Sequence, residues 1–376
     1  TELAKLLLLD LASFLPFLGI ALCIGQVFIR WPTATRKFYA ANLIGSGLGT
    51  IVAALLLSLL FLKTILLLLP LATLALAVFY AHRLELNRLT IGVPATGVIL
   101  LLIWMLSPPE LPLSDFKKLS YLHSLPDATI LEKKPAMQAG ITIIQSESHR
   151  IAPGLSLQWQ DPIPSTDALV IGSDLAMSLP KSVNPTEYPG HLEASLGMLP
   201  FHLRNKGRGV FFGASEWIPP WYSPLASASW ILESDSLVDT YADRGMPDNL
   251  EIRQDNRRLL NCPRSSTPTI VYFNSAYVTG NATGEDYLMT VESIVRAIKM
   301  LGKNGLLAIP LKIEYPPRHA PKLIAMIQMS LDELEIEEPG LHVAILRSLQ
   351  DALFIVSKSP LPQKDISSIR EYAKKW

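Results

Sequence analysis

The chain begins with four apolar segments, about Leu11–Ile29, Phe38–Leu62, Thr64–Ala81 and Leu89–Leu106. A helix needs roughly 20 apolar residues to cross the hydrocarbon core of a bilayer. A buried helix in a water-soluble protein is rarely so continuously apolar. Residues 1–107 hold only 7 of the 33 Lys and Arg and 3 of the 33 Asp and Glu. The rest of the chain has the mixed composition of a water-soluble α/β region. A globular body held against a membrane is the arrangement that any function must explain.

Charge and cysteine content exclude several classes. The soluble part keeps 26 basic and 30 acidic residues, a mildly acidic balance with no electrostatic footprint for nucleic acid. Cys23 lies in the first apolar segment and Cys262 in the soluble part, so neither a disulfide nor a metal site is expected. The seven histidines show no ligand spacing, and no metal is expected. The chain starts at Thr1 with no charged n-region before its first apolar run. This does not read as a signal peptide, and further spans upstream are expected.

Within the second segment, Gly45 and Gly49 form a G-x-x-x-G pattern, with Gly47 between them. Small residues one turn apart let a neighbouring helix approach closely, within the bundle or across a homodimer seam. Asn42 in the same span should hydrogen-bond to another helix. No span carries a buried Lys or Arg or a spaced acidic relay, which argues against transport. Arg30, Arg36 and Lys37 follow the first span, Lys63 the second, and Arg83 and Arg88 the third. The positive-inside rule puts loops one and three in the cytoplasm. With four spans, the soluble part then emerges on the non-cytoplasmic side of what is expected to be a bacterial inner membrane.

The soluble part divides in two. Residues 108–190 contain short β-type runs, Ile141–Gln145, Leu155–Trp159 and Ala168–Ile171, and read as a small antiparallel β subdomain. Residues 191–376 alternate strands and helices. The strands are expected at Gly209–Phe212, Trp230–Leu232, Leu250–Ile252, Thr269–Phe273, Leu306–Leu311, His342–Leu346 and Ala352–Ser357. Helical periodicity fills Thr290–Leu301 and Pro321–Leu334. This is a doubly wound α/β pattern. The last two strands lie close enough to form an antiparallel hairpin, the ending of methyltransferase-like Rossmann folds.

In such sheets a ligand binds at the carboxyl ends of the strands, around the first β-turn. Here that turn runs Gly213-Ala-Ser215-Glu-Trp217, followed by Pro219-Pro220 where a helix should begin. A working turn would have glycine at 215 and usually at 217. Glu233 ends the second strand, placed to hold ribose hydroxyls. Asp255 follows the third, in reach of a base. Both could equally be solvated strand-end acids.

These residues resemble the multi-spanning, membrane-fused branch of the spermidine synthase-like family. The likeness rests on Pro16-Phe-Leu-Gly19, Tyr39-x-x-Asn42-x-x-Gly45-x-x-x-Gly49, Ser114-Asp-Phe-Lys-Lys-Leu119 and Ala152-Pro-Gly-Leu-Ser156. It continues through Leu199-Pro200, Glu285-x-Tyr287-Leu-x-Thr290-Val-Glu292, Gly305-Leu-Leu-Ala308 and Pro316-Pro317-Arg318. The family's soluble enzymes are aminopropyltransferases, moving an aminopropyl group from decarboxylated S-adenosylmethionine to an amine. The resemblance implies a cofactor site at Gly213, Ser215, Glu233 and Asp255. It also implies an aspartate after the fourth strand, where this chain has Asn274, and a tyrosine before the first strand, near Tyr188, His191 and Glu193. Asn274 cannot take a proton at neutral pH. Two functions stay open. One is a catalytically degenerate scaffold, a subunit beside other membrane or soluble proteins. The other is a membrane-anchored transferase using S-adenosylmethionine or its decarboxylated form.

Overall fold

The computed structural model describes all residues except Thr1, Leu86, 107–112, 136–139, Asp174, 182–189, 214–216, 218–219, 233–234, 244–246, 255–266 and 275–287. The chain divides into two compact units, Thr1–Leu102 and Ile103–Trp376.

The first unit holds α1 (Glu2–Arg30), α2 (Thr35–Leu59), α3 (Leu62–Arg83) and most of α4 (Arg88–Leu106). Continuous Leu, Ile, Val and Ala leave few side chains to compete with the backbone for hydrogen bonds. The hydroxyls of Thr50, Ser58, Thr73 and Thr96 donate to carbonyls four residues earlier, so these polar groups need no water. Among the described residues three helices are long and apolar enough to cross a membrane, and α4 contributes the shorter described run Ile91–Leu106. Sequence reading counted four such segments. The fourth, Leu89–Leu106, falls within α4 (Arg88–Leu106).

Within the chain, the α2 glycines do not provide the close approach that the motif allowed inside the bundle. A β-carbon at Gly45, Gly47 or Gly49 would meet nothing within 4 Å among the described residues. The close approach is instead at Gly97 on α4, where a β-carbon would lie 2.9 Å from Leu74 Cδ1 of α3.

The second unit opens with α5 (Lys118–His123) and an antiparallel meander of β1 (Thr129–Lys134), β2 (Ile141–Gln145), β3 (Thr166–Ile171) and β4 (Leu175–Pro180). Alternation sorts its side chains in the way a period of two dictates. Ile141, Ile143, Leu169, Met177 and Leu179 face the large sheet, while Ile144, Ala168 and Val170 pack under Leu122 of α5. Asp127 braces the open end of this meander. It accepts the Ser146 hydroxyl at 2.7 Å and the Ser148 amide at 3.2 Å, and these bonds hold its carboxyl at about 2. The shift belongs to a turn, not to a cleft.

Leu155–Trp159, expected as a strand, forms turns with one bridge, Leu155 to Ser195. Gly154 before it takes φ +66°, which breaks extended backbone. The Ser156 amide then donates to Ala194 O at 3.0 Å instead of entering a ladder.

The large sheet contains β5 (Arg208–Phe212), β6 (Ser227–Leu232), β7 (Leu250–Gln254), β8 (Ile270–Phe273), β9 (Leu306–Lys312), β10 (Val343–Arg347) and β11 (Asp351–Ser357). Its order is β10-β11-β9-β8-β5-β6-β7. Six strands point the same way, and β11 inserts antiparallel between β9 and β10. This is the methyltransferase and spermidine synthase type of Rossmann sheet, with the terminal hairpin the sequence pattern implied. The order reverses at β5, so the switch point lies between β5 and β8.

Apolar runs buried on both faces suit a parallel sheet covered on two sides. Val210, Phe212, Val271 and Phe273 point to α8 (Val291–Met300) and α9 (His319–Glu333). The Thr290 side chain caps α8 by accepting the Ser293 amide at 3.2 Å. On the other face Phe211, Trp230 and Tyr272 share one core with the meander. Alongside them lie α6 (Leu199–Leu203), α7 (Asp235–Ala242) and α10 (Gln363–Lys375). A largely buried ion pair, Arg204 to Asp365 at 2.6 Å, ties α10 to the end of α6.

Candidate functional site

Two of the residues singled out by sequence meet at the switch point. Gly213 follows β5 with φ +82°, a left-handed conformation that glycine adopts without strain. Its amide donates to Ile231 O at 2.9 Å, extending the β5–β6 ladder by one rung. Its carbonyl accepts the Trp230 indole N–H at 2.7 Å and the Asn274 amide at 3.5 Å. Asn274 follows β8 directly and is fully buried. The group standing where a base is expected is therefore a hydrogen-bond donor to the backbone of the first turn.

Trp217 lies at the third key position of the turn and is 8% exposed. Its indole packs against two glycines of neighbouring loops. A β-carbon at Gly154 would stand 2.6 Å from the ring, and one at Gly197 would also stand 2.6 Å from it. The Tyr272 hydroxyl would be 3.1 Å from that same Gly197 β-carbon. Trp217 thus sits in a slot made by two glycines, with the Tyr272 hydroxyl close to the second of them. Phe201, Phe211 and Tyr272 stack beyond it, with ring centroids 5.8–6.3 Å apart. Trp221, Trp230 and Tyr241 form a second aromatic group over β6. Tyr272 is fully buried, its hydroxyl has no hydrogen-bond partner among the described residues, and burial pushes its pKa well above the usual 10. Among the described residues after this turn, Pro220–Ala226 form turns and bends rather than the expected helix.

Ser215, Glu233, Asp255 and Tyr188 lie outside the described residues. Of the neighbours of Tyr188, Glu193 is exposed and His191 is buried. Among the described residues no group of three or more His, Cys, Asp or Glu could hold a metal ion. Sequence reasoning missed Trp230 and Asp351, the latter accepting the Gly154 amide at 2.9 Å. Nothing in their spacing pointed to those bonds. The Pro-Gly pair at 153–154 is the sequence signal of the turn that carries the Trp217 contact.

Burial lowers the His191 pKa below its usual 6.5. The folded state therefore binds fewer protons than the unfolded chain once the pH drops below about 6.5. Stability is intact above that value and declines as the pH falls through it toward the lower folded pKa. We expect His191→Gln to flatten this decline below about pH 6.5, read as thermal midpoints across pH; identical slopes in both proteins would mean that burial does not shift His191.

No family model matches the chain, and no curated protein matches it in sequence. Among solved structures it is similar to a probable spermidine synthase from Corynebacterium glutamicum, at 13% identity and a TM-score of 0.42, over 66% of this chain and 87% of that one. It is also similar to the spermidine synthase from Thermotoga maritima, at 13% identity and a TM-score of 0.38, over 65% and 78%. The N-methyltransferase NodS from Bradyrhizobium japonicum overlaps at 10% identity and a TM-score of 0.31, over 42% and 89%. The strand order, rather than these overlaps, carries the fold.

Proposed function

We propose that this chain is a membrane-held, non-catalytic protein of spermidine synthase-like fold. Its Rossmann-type body serves as a scaffold or subunit for other proteins. The observation that carries this reading is the Trp217 indole, seated against Gly154 and Gly197 beside the switch point. A nucleoside donor needs backbone exposed at the first turn and a flat space beside it. Here a bulky ring takes a position where glycine would leave that space open. Asn274 adds to the argument: an amide already donating to Gly213 O cannot also remove a proton from an attacking amine. The described residues do not fit a sulfonium nucleoside. A stable fold that has lost its base still offers a shaped surface, because fold does not fix function.

The membrane attachment rests on the three long apolar helices. Counting α4 (Arg88–Leu106) as a fourth span, the loop charges favour a non-cytoplasmic body, where nucleotide-type cofactors are scarce.

Calorimetry on the full chain, with S-adenosylmethionine, decarboxylated S-adenosylmethionine and methylthioadenosine in turn, tests the proposal. We expect no heat at millimolar ligand. Saturable binding that disappears in Glu233→Ala would overturn it and establish the transferase reading.

A further inference from the structure

A second space lies along the last hairpin, where the 154–158 loop, the β10–β11 turn and the final turn of α10 enclose a cavity of about 580 Å³. We propose that it binds a small amphiphile with an apolar body and a single anionic head, of the medium-chain carboxylate or alkyl phosphate type.

Its walls are held in place independently of any ligand. The Gly154 amide donates to the Asp351 carboxylate at 2.9 Å, tying the loop to the start of β11. The Ser156 hydroxyl donates to Trp376 O, tying the same loop to the end of α10. The bridge from Leu155 to Ser195 and the bond from the Ser156 amide to Ala194 O fix the third side. A space framed by three anchored segments is preformed, which is how small-molecule sites of about 300–1,000 Å³ are usually built.

The lining is mostly apolar, with Leu196 and Leu346 in the wall, Tyr372 on α10 and Trp376 just after it. At its edge stand Leu157, Ile345 and Leu349, 78%, 48% and 65% exposed. Three aliphatic side chains left to water around one opening favour an apolar guest. The only charged side chain among the lining residues is Arg347, the last residue of β10. It is exposed and has no ion pair or hydrogen bond through its side chain among the described residues. A guanidinium at the mouth of an apolar space recognises a carboxylate or phosphate in bidentate fashion. Lys375 adds a second positive charge nearby, its ammonium 4.6 Å from the centre of the Trp376 ring. The same charges repel an amine. This site would therefore take guests opposite in charge to a polyamine, whatever the fate of nucleosides at the switch point.

The test uses the full chain in phosphatidylcholine nanodiscs, with empty nanodiscs subtracted. Equilibrium dialysis measures octanoate, octyl phosphate, octylamine and octanol. At least one of the two anions should bind saturably, one per chain, and about tenfold more tightly than octylamine or octanol. Whichever anion binds more tightly identifies the head as carboxylate or phosphate. Arg347→Gln should weaken the anion by about tenfold and leave octanol unchanged. Ala373→Trp, which fills the space from an exposed position on α10, should abolish binding with its thermal midpoint kept. The proposal fails if neither anion saturates at millimolar concentration, if octylamine or octanol binds equally well, or if Arg347→Gln changes nothing.

Discussion

Asn274→Asp, which restores the carboxylate of an active aminopropyltransferase, is expected to destabilise the soluble unit by about 3–5 kcal/mol at neutral pH. Asn274 is fully buried and donates to Gly213 O, which also takes the Trp230 indole at 2.7 Å. An ionised aspartate has only acceptors, so it would face the carbonyl oxygen with no donor of its own. A buried carboxylate facing a carbonyl oxygen relieves this by staying protonated, at about 1.36 kcal/mol per unit of pKa rise. The sign with pH follows. A raised folded pKa means the folded variant holds the extra proton, so its deficit is smallest below about pH 4 and grows as pH rises. Thermal melting of the full chain followed by tryptophan fluorescence, from pH 4 to 8, reads the effect. A variant as stable as the parent at pH 7 would show that Asn274 is not held as a backbone donor.

The features legible in the sequence were those set by periodicity. All seven strands of the large sheet appeared within a few residues of their apolar runs, because burial on both faces leaves a continuous hydrophobic signature. The terminal hairpin was legible because only Ser348, Leu349 and Gln350 separate β10 from β11. The meander was harder. β1 carries Glu132, Lys133 and Lys134 and is mostly exposed, so it lacks an apolar period. Leu155–Trp159 has the composition of a strand, yet its pairing partner is a loop.

The candidate site was legible as a departure, not as an arrangement. Trp217 and Asn274 stood out because glycine and aspartate were expected there. What they touch depends on long-range contacts that spacing does not encode: Gly154 and Gly197 for one, Gly213 for the other. The helix glycines illustrate the same limit. Gly45-x-x-x-Gly49 has the motif, but the close approach between helices of this chain falls at Gly97, which has no motif.

Trp217→Ala is expected to cost about 3–5 kcal/mol, the range for removing a large buried aromatic side chain. The indole is 8% exposed and belongs to the core shared by both sheets. A merely covering lid would give a loss under about 1 kcal/mol. A double-mutant cycle with Gly197 distinguishes the two. Gly197→Ala alone places a β-carbon 2.6 Å from the indole and 3.1 Å from the Tyr272 hydroxyl, so overpacking should cost about 1–3 kcal/mol. In the Trp217→Ala background that clash with the ring is gone, and the same substitution should lose at least about 1 kcal/mol of its penalty. Strict additivity would mean that the ring and the glycine are not in contact, and the argument that Trp217 fills the space beside the switch point would fall with it. If the cycle couples as expected, Trp217→Gly becomes the informative variant for calorimetry. A nucleoside that binds it but not the parent would identify one indole as the barrier between this fold and its ligand.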